Sequence, residues 1–201
     1  TAVGTEALTA NTTGYNNTAI GYVAGKAITE GYQNTLVGDR AGTALTTGDN
    51  NTAVGQHALK TATTAGGNTA LGFDALTIST SGHSNTAVGN YALTGNTTGV
   101  RSTAVGFEAG DNTSTASDNI SIGYQARPSS SSSSDQCTLG NTAITDLRCN
   151  DTSISSLSDS RDKTNIVDIP LGLSFINTVR PVSFDWNRRD GSMDGKKDFG
   201  F

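Results

Sequence analysis

Large side chains and charge are both scarce in this chain. Of its 201 residues 34% are apolar, 6% aromatic and 15% charged, with 3 Pro, 2 Cys, 1 Met and 1 Trp. An ordinary globular domain is about half apolar and a quarter charged, so one close-packed core of large side chains is not expected. The formal net charge of −5 is a weak bias. Backbone binding to nucleic acid needs clustered Lys and Arg, and no such cluster is present. No apolar run approaches the roughly 18 residues of a membrane span. The opening residues 1–8 lack the charged and apolar regions of a signal peptide, but they begin in mid-pattern, so this says nothing about export. Cys137 and Cys149 show no metal-ligand spacing and are too few for a disulfide framework, so free thiols are expected. His57 and His83 have no Cys or carboxylate arrangement typical of zinc; turn positions are expected for both, with no metal and no cofactor.

Such a composition would suit a disordered chain, except that disorder goes with high net charge and aperiodic polar sequence. Here the polar residues are periodic. A glycine closes each copy of an Asn-Thr-Ala-Val-Gly motif at Gly4, Gly21, Gly38, Gly55, Gly72, Gly89, Gly106, Gly123 and Gly140, every step being 17 residues. Val, Ile or Leu precedes each of these glycines, and alanine follows three residues after every one, from Ala7 to Ala143. Four residues before it stands Asn17, Asn34, Asn51, Asn68, Asn85 or Asn119, with Ser102 and Gln136 as substitutes. Repetition at a fixed short period defines a solenoid.

One copy reads as a β-rung. Thr18 and Ile20 share one face of an extended segment, with Ala19 and Gly21 on the other. Gly21 permits a corner, and a second short strand is expected from Ala24. The Thr-Thr-Gly, Thr-Glu-Gly and Thr-Ser-Gly triplets at 12–14, 29–31, 46–48, 80–82 and 97–99 read as turns whose glycine supplies a positive φ. Two strands and two turns per 17 residues enclose little volume, and Val or Ile on one strand with Ala on the other is expected to fill it. The asparagines either form an amide ladder from rung to rung or merely tolerate the turn geometry. The Ser run 129–134 resembles a linker in composition, yet Gly123 and Gly140 remain 17 apart, so it is expected to replace an outer turn of the eighth rung. The expected fold is all-β: a parallel β-roll of nine rungs, about 40 Å long at the usual strand spacing.

These motifs, Asn119-Ile120-Ser121-Ile122-Gly123 above all, resemble the head repeats of trimeric autotransporter adhesins and similar repeats of bacteriophage tail fibres. The resemblance covers residues 1 to about 145. It implies a left-handed roll in a homotrimer whose three chains pack around a common axis.

Composition changes near residue 146. Residues 1–145 hold 5 Lys+Arg and 9 Asp+Glu, whereas the 56 residues of 146–201 hold 8 and 9 together with Trp186. The glycine period also ends, with Leu157 where the next glycine would stand. Three segments are therefore expected: a shaft at 1–145, a connector at 146–157 and a different unit at 158–201. Phe184 and Trp186 alternate as on a strand, and Asp190-Gly191 reads as a turn; packing is the expected role of the two aromatics.

The stretch Ser158-Asp159-Ser160-Arg161-Asp162-Lys163-Thr164-Asn165-Ile166 resembles the opening of the endosialidase-type intramolecular chaperone domain of phage tail spikes and fibres. Leu173-Ser174-Phe175-Ile176-Asn177, Arg180-Pro181-Val182-Ser183-Phe184-Asp185-Trp186 and Asp198-Phe199-Gly200-Phe201 continue the pattern. The match stops where that family continues into a long helical part, so a truncated α+β segment is expected. The resemblance implies a domain that drives trimerisation and then cuts itself off at the motif serine. Ser158 would be the nucleophile and Lys163 the base, its pKa lowered by partial burial, with the scissile bond beside Ser158, Leu157–Ser158 by preference. The plainer reading is that Ser158-Asp159 caps the following segment. Arg161, Asp162, Arg188 and Arg189 are either further site members or a solvated charged face.

The function so implied is a structural and adhesive segment of a tail fibre or spike in the virion, attached to a host-cell glycan or protein receptor. A bacterial surface adhesin is the alternative. An ice-binding solenoid is a third reading, prompted by the column Thr1, Thr18, Thr35, Thr52, Thr69, Thr86 and Thr103. Tyr15, Tyr22, Tyr32, Phe73, Tyr91, Phe107 and Tyr124 offer flat surfaces for sugars but look irregularly placed. Asp and Glu fall at nonequivalent rung positions, so a polysaccharide hydrolase with paired carboxylates is not expected; self-cleavage is the only enzymatic activity envisaged.

Overall fold

The computed structural model describes residues 1–146 and, as backbone, Val182–Asn187 and Met193–Gly200. The chain divides into two compact units, Thr1–Arg148 and Cys149–Phe201. No helix occurs among the described residues. The first unit is a parallel β-solenoid with one short strand per rung: β1 (Ala2–Val3), β2 (Thr18–Ile20), β3 (Thr35–Val37), β4 (Thr52–Val54), β5 (Thr69–Leu71), β6 (Thr86–Val88), β7 (Thr103–Val105), β8 (Ile120–Ile122) and β9 (Cys137–Leu139). They form one nine-stranded sheet in sequence order. Each residue pairs with its equivalent 17 positions on, as in Thr18↔Thr35 and Ile20↔Val37.

The closing glycines explain why the period tolerates no other residue there. Gly21, Gly38, Gly55 and Gly72 lie at φ +138 to +140, a region closed to side-chain-bearing residues. The rungs also touch at this point: a Cβ added to Gly106 would stand 2.7 Å from the carbonyl oxygen of Gly123, and the same clash with the next glycine recurs up the column. Two independent constraints thus select glycine.

The expected second strand is absent. After each corner the chain runs through consecutive turns, because the residues two and four places after the glycine adopt positive φ: Val23 and Gly25, Arg40 and Gly42, His57 and Leu59. Inter-rung hydrogen bonding survives without extended dihedrals. Leu8 N donates to Ala24 O at 3.1 Å, Gly25 N to Ala41 O at 2.9 Å and Leu59 N to Ala75 O at 3.0 Å. The glycines of the Thr-x-Gly triplets also differ from expectation. Gly14, Gly31, Gly48, Gly82 and Gly99 do not have positive φ; the left-handed residue comes two places later, at Asn16, Gln33, Asn50, Ser84 and Arg101. Their requirement is space, since a Cβ on Gly82 would come within 2.7 Å of Gly99 O. The serine run does replace a turn of the eighth rung, and Ser131 O accepts from Ser114 N at 2.9 Å as its threonine equivalents do below.

The asparagines form the ladder. Asn34 Nδ2 donates to Asn17 Oδ1 at 3.1 Å, Asn51 to Asn34 at 3.0 Å and Asn68 to Asn51 at 3.1 Å. Each Oδ1 also accepts the backbone N–H one rung on, at 3.0 Å for Asn34 N and 2.9 Å for Asn85 N. Each Nδ2 reaches a turn carbonyl as well, such as Gly48 O from Asn34 at 2.9 Å. Ser102 Oγ substitutes as acceptor for Asn119 N. A buried amide with all these partners is stabilising, whereas an unpartnered one would cost about 1–3 kcal/mol.

The interior is filled by a division of labour that the repeat conceals. The strand residue pointing inward is Ala19, Ala53, Ala70, Ala87 and Ala104, all fully buried. Opposite them the turn contributes Leu59, Leu76 or Leu93, followed three residues on by the small Ala62 or Ser79 or by Asn96. In rungs two and three the turn position is instead Gly25 and Gly42, and the large residue moves to Ile28 and Leu45; rung seven has Gly110 there with the buried Thr113 three residues on, and Leu93 of the rung before reaches toward the glycine. Leu36 then replaces the strand alanine and supplies the missing volume: a Cβ on either Gly25 or Gly42 would lie 2.8 Å from one of its methyls. Interiors are close-packed, and across rungs two and three the volume missing at the two turn glycines is taken up by Leu36 from the strand. The outward strand residues correct another expectation. Val, Ile and Leu before the closing glycine do not fill the roll; they face out on the same side as Thr.

Of the second unit, β10 (Val182–Asn187) and β11 (Met193–Gly200) pair antiparallel from Val182↔Gly200 to Asn187↔Met193, with a shift in register between Asp185 and Asn187. Phe184 and Trp186 lie on a strand, as their alternation predicts. Asp190-Gly191, in the connection, lies outside the described residues.

Two outcomes follow from the packing. Gly106→Ala is expected to cost at least about 3 kcal/mol through strain and backbone clash, measured by thermal or denaturant unfolding. Gly66→Ala, where φ is not positive and Asp49 O at 3.3 Å is the nearest atom, should cost under about 1 kcal/mol. Leu36→Ala should cost about 2–5 kcal/mol, and adding Gly42→Leu should restore part of it, because Leu59, Leu76 and Leu93 already occupy that column at φ +50 to +55.

Candidate functional site

Two candidate surfaces and one candidate chemical site stand out. The first surface is the outward sheet face. Ile20, Leu71, Val105, Ile122 and Leu139 are 41, 45, 38, 44 and 51% exposed, while Val37, Val54 and Val88 are half-buried by their neighbours in the column. Beside this aliphatic column runs a second column, which is threonine from Thr18 to Thr103 and becomes Ile120 and Cys137 in the last two rungs. No strand of the sheet carries a charged residue. An unbroken apolar column along a whole sheet face is the kind of surface that marks association. The sequence hid it because Val and Ile are the residues expected inside. The usable signal was the neighbouring alanine column, whose uniform small size marks it as the enclosed side.

The second surface is the corner after the closing glycine. Tyr22, Phe73, Phe107 and Tyr124 occupy one column there, and His57 and Tyr91 the adjacent one, so the aromatics are ordered rather than irregular. His57, Phe73, Tyr91, Phe107 and Tyr124 form a continuous row with centroids 6.0, 5.3, 6.0 and 5.7 Å apart. Phe107 and Tyr124 stack, as do Tyr15 and Tyr32 at 5.0 Å with planes 2° apart, and Tyr91 meets both its neighbours edge to face. Stacking along the rod directs ring faces toward one another. The row is therefore first a longitudinal brace, each pair adding about 0.5–1.5 kcal/mol beyond burial. Arg40 also lies over the Tyr22 ring, 5.6 Å from its centroid.

Polar pairs that occur only once decorate the turns. Lys26 Nζ meets Glu6 at 2.6 Å, and Arg127 bridges Asp111 and Glu108. Arg101 donates Nε and Nη2 to the two oxygens of Asp118, both at 2.7 Å. These hydrogen bonds hold the Asp118 carboxyl below its ordinary pKa, so the pair's contribution is present at neutral pH and lost as pH falls through that lowered value. His57 Nδ1 lies 3.2 Å from Asp74 Oδ1, which also accepts from Thr77 at 3.0 Å; His83 is exposed. Among the described residues no group of three or more His, Cys, Asp or Glu side chains converges, and no helix is long and apolar enough to cross a membrane. Cys137 is a free, exposed thiol.

The chemical site, Leu157, Ser158 and Lys163, lies outside the described residues, as do Cys149, Arg161, Asp162, Arg188 and Arg189. Comparison with known families bears on this segment. Residues 158–201 match the family described as chaperone of endosialidase, beginning at Ser158 itself. No curated protein and no solved structure matches the chain. The matched segment is about a fifth of the sequence; a β-solenoid of 17-residue rungs precedes it.

Removing a ring tests the brace. Tyr91→Ala loses two edge-to-face pairs and should lower stability by about 1–3 kcal/mol, read from the unfolding midpoint. Tyr22→Ala, whose ring is outside the row, should cost less.

Proposed function

We propose that this chain is a segment of a trimeric phage tail fibre or tail spike, a β-solenoid shaft followed by an intramolecular chaperone that templates assembly. The observation that carries the reading is the junction of a nine-stranded solenoid with a segment matching the endosialidase chaperone family. The two halves need each other. A roll whose rungs are nearly equivalent can pair out of register at little energetic cost, and long-range parallel pairing is slow and prone to error. A trimeriser at one end supplies the register that the repeats lack. The chaperone segment favours a phage structure over a bacterial adhesin, which shares only the repeats. Host attachment, to a glycan or a protein, is the role of the assembled shaft or of what it carries.

In the trimer the outward sheet faces lie against one another, which buries the aliphatic column and leaves the turns to solvent. That arrangement also speaks against ice binding, since the threonine column shares its face with Val, Ile and Leu rather than with a second threonine row.

Self-cleavage follows from the same reading. Ser158 Oγ attacks the adjacent main-chain carbonyl, and Lys163, neutral when desolvated, takes the hydroxyl proton and returns it to the leaving amine. The acyl-enzyme ester is then hydrolysed by water. Cleavage makes refolding from the separated shaft difficult and so traps the product kinetically.

Joined to a complete chaperone domain of this family, the chain is expected to yield two fragments on a denaturing gel, with mass spectrometry placing the cut beside Ser158. Ser158→Ala and Lys163→Ala should each leave a single uncut polypeptide that still assembles. Equal cleavage of the wild type and Ser158→Ala would remove Ser158 from the mechanism.

A further inference from the structure

The outward face changes character at one end. From Thr18 to Thr103 each strand presents one hydroxyl-bearing and one aliphatic side chain, but β8 presents Ile120 and Ile122, and β9 presents Cys137 and Leu139. Ile120 is 43% exposed and Cys137 is exposed beside it, so the apolar stripe doubles in width over the last two rungs. No packing need inside the roll explains the change, because both residues point out of it and their threonine equivalents serve the same backbone ladder six times below.

We infer that Ile120, Ile122, Cys137 and Leu139 form a clamp, the tightest part of the contact between copies of this chain, placed to hold the C-terminal end of the shaft together once the chaperone has gone. This rests on the trimeric reading above and adds to it where the binding is concentrated. The occupant is a second copy for two reasons. A sheet face ridged at one strand spacing is matched in pitch by the same face of another copy, and it offers no charge to direct an unlike partner. The face is also narrow. Three residues across and nine strands long, it measures roughly 10 by 40 Å, about half the ~800 Å² per partner of a standard stable interface. With so little area, binding depends on a few well-buried anchors, and the widened end supplies them. Fraying is greatest where a solenoid ends, so anchors there keep three chains from separating once the covalent link to the trimeriser is cut.

The test uses the whole 201-residue chain in reducing buffer. Ile120→Thr with Cys137→Thr restores the residue this column carries in the rungs below, so the rung should fold, and far-ultraviolet circular dichroism checks that it does. Val3→Thr with Ile20→Thr removes two apolar groups from the opposite end of the same face. Sedimentation equilibrium is expected to show the trimer dissociating at a concentration at least tenfold higher for the first pair, and less than threefold higher for the second. Equal shifts, or wild-type association by the Ile120/Cys137 pair even with an altered melting temperature, would overturn the clamp while leaving the trimer standing. A wild-type chain that sediments as a monomer at every concentration overturns the trimeric reading itself, and the clamp with it.

Discussion

The approach of one glycine to the next sets everything else in this solenoid. Between the strand and the turn, successive rungs come so close that the carbonyl of one occupies the space a Cβ of the other would need. The closeness lets the strand and the turn both hydrogen-bond vertically although the turn is not extended. It also forces strict register: a slip of one residue would drive a side chain into that contact and turn the buried alanines outward. The period of 17 is thus a steric requirement renewed at every rung. Little apolar surface is needed, because backbone bonds and the asparagine ladder carry the longitudinal contacts that a large core provides elsewhere.

Within that frame the residues divide into those that repeat and those that vary, and the two groups do different work. Asn, Gly and the alanine three places after it define the rung. Leu36, Gly25, Gly42 and the leucines at 59, 76 and 93 differ from rung to rung, with Leu36 reaching the space left by both glycines. The charge pairs at Lys26–Glu6 and Arg101–Asp118 occur once each. Such unique contacts give a nearly uniform stack some means of distinguishing its own rungs.

The legible part of the fold was whatever repeats strictly. Nine glycines at one spacing define the rungs, their parallel pairing and the exclusion of helix. Asn17 to Asn119 announced a ladder or a turn preference, and the side chains form the ladder. What the residues did not reveal was direction. Thr18 and Ile20 must share a face and Ala19 the other, but alternation cannot say which face is enclosed, and Val and Ile belong inside most proteins. The turn after Gly21 misled for a similar reason: Val23 and Leu59 adopt positive φ against their own preferences, as do the residues at the same positions of neighbouring rungs, Arg40 and Leu76. The triplet glycines misled in the opposite sense, being selected for space rather than for dihedral freedom. The aromatic row was obscured because its members alternate between adjacent positions, so that only the bend of the corner brings Tyr91 between Phe73 and Phe107. The role proposed for Ser158 rests on resemblance, with the family match beginning at that residue.

The filling scheme of the rungs bears on how such a rod could lengthen or shorten over generations. Rungs four, five and six share one filling scheme, a leucine in the turn facing an alanine in the strand, with Ala62, Ser79 or Asn96 beyond it. Duplicating or deleting one of them joins like to like. Rungs two and three are interlocked through Leu36, and cutting between them strands a cavity on one side and an excess on the other. Changes of reach should therefore come in whole 17-residue quanta and be tolerated best among rungs four to six.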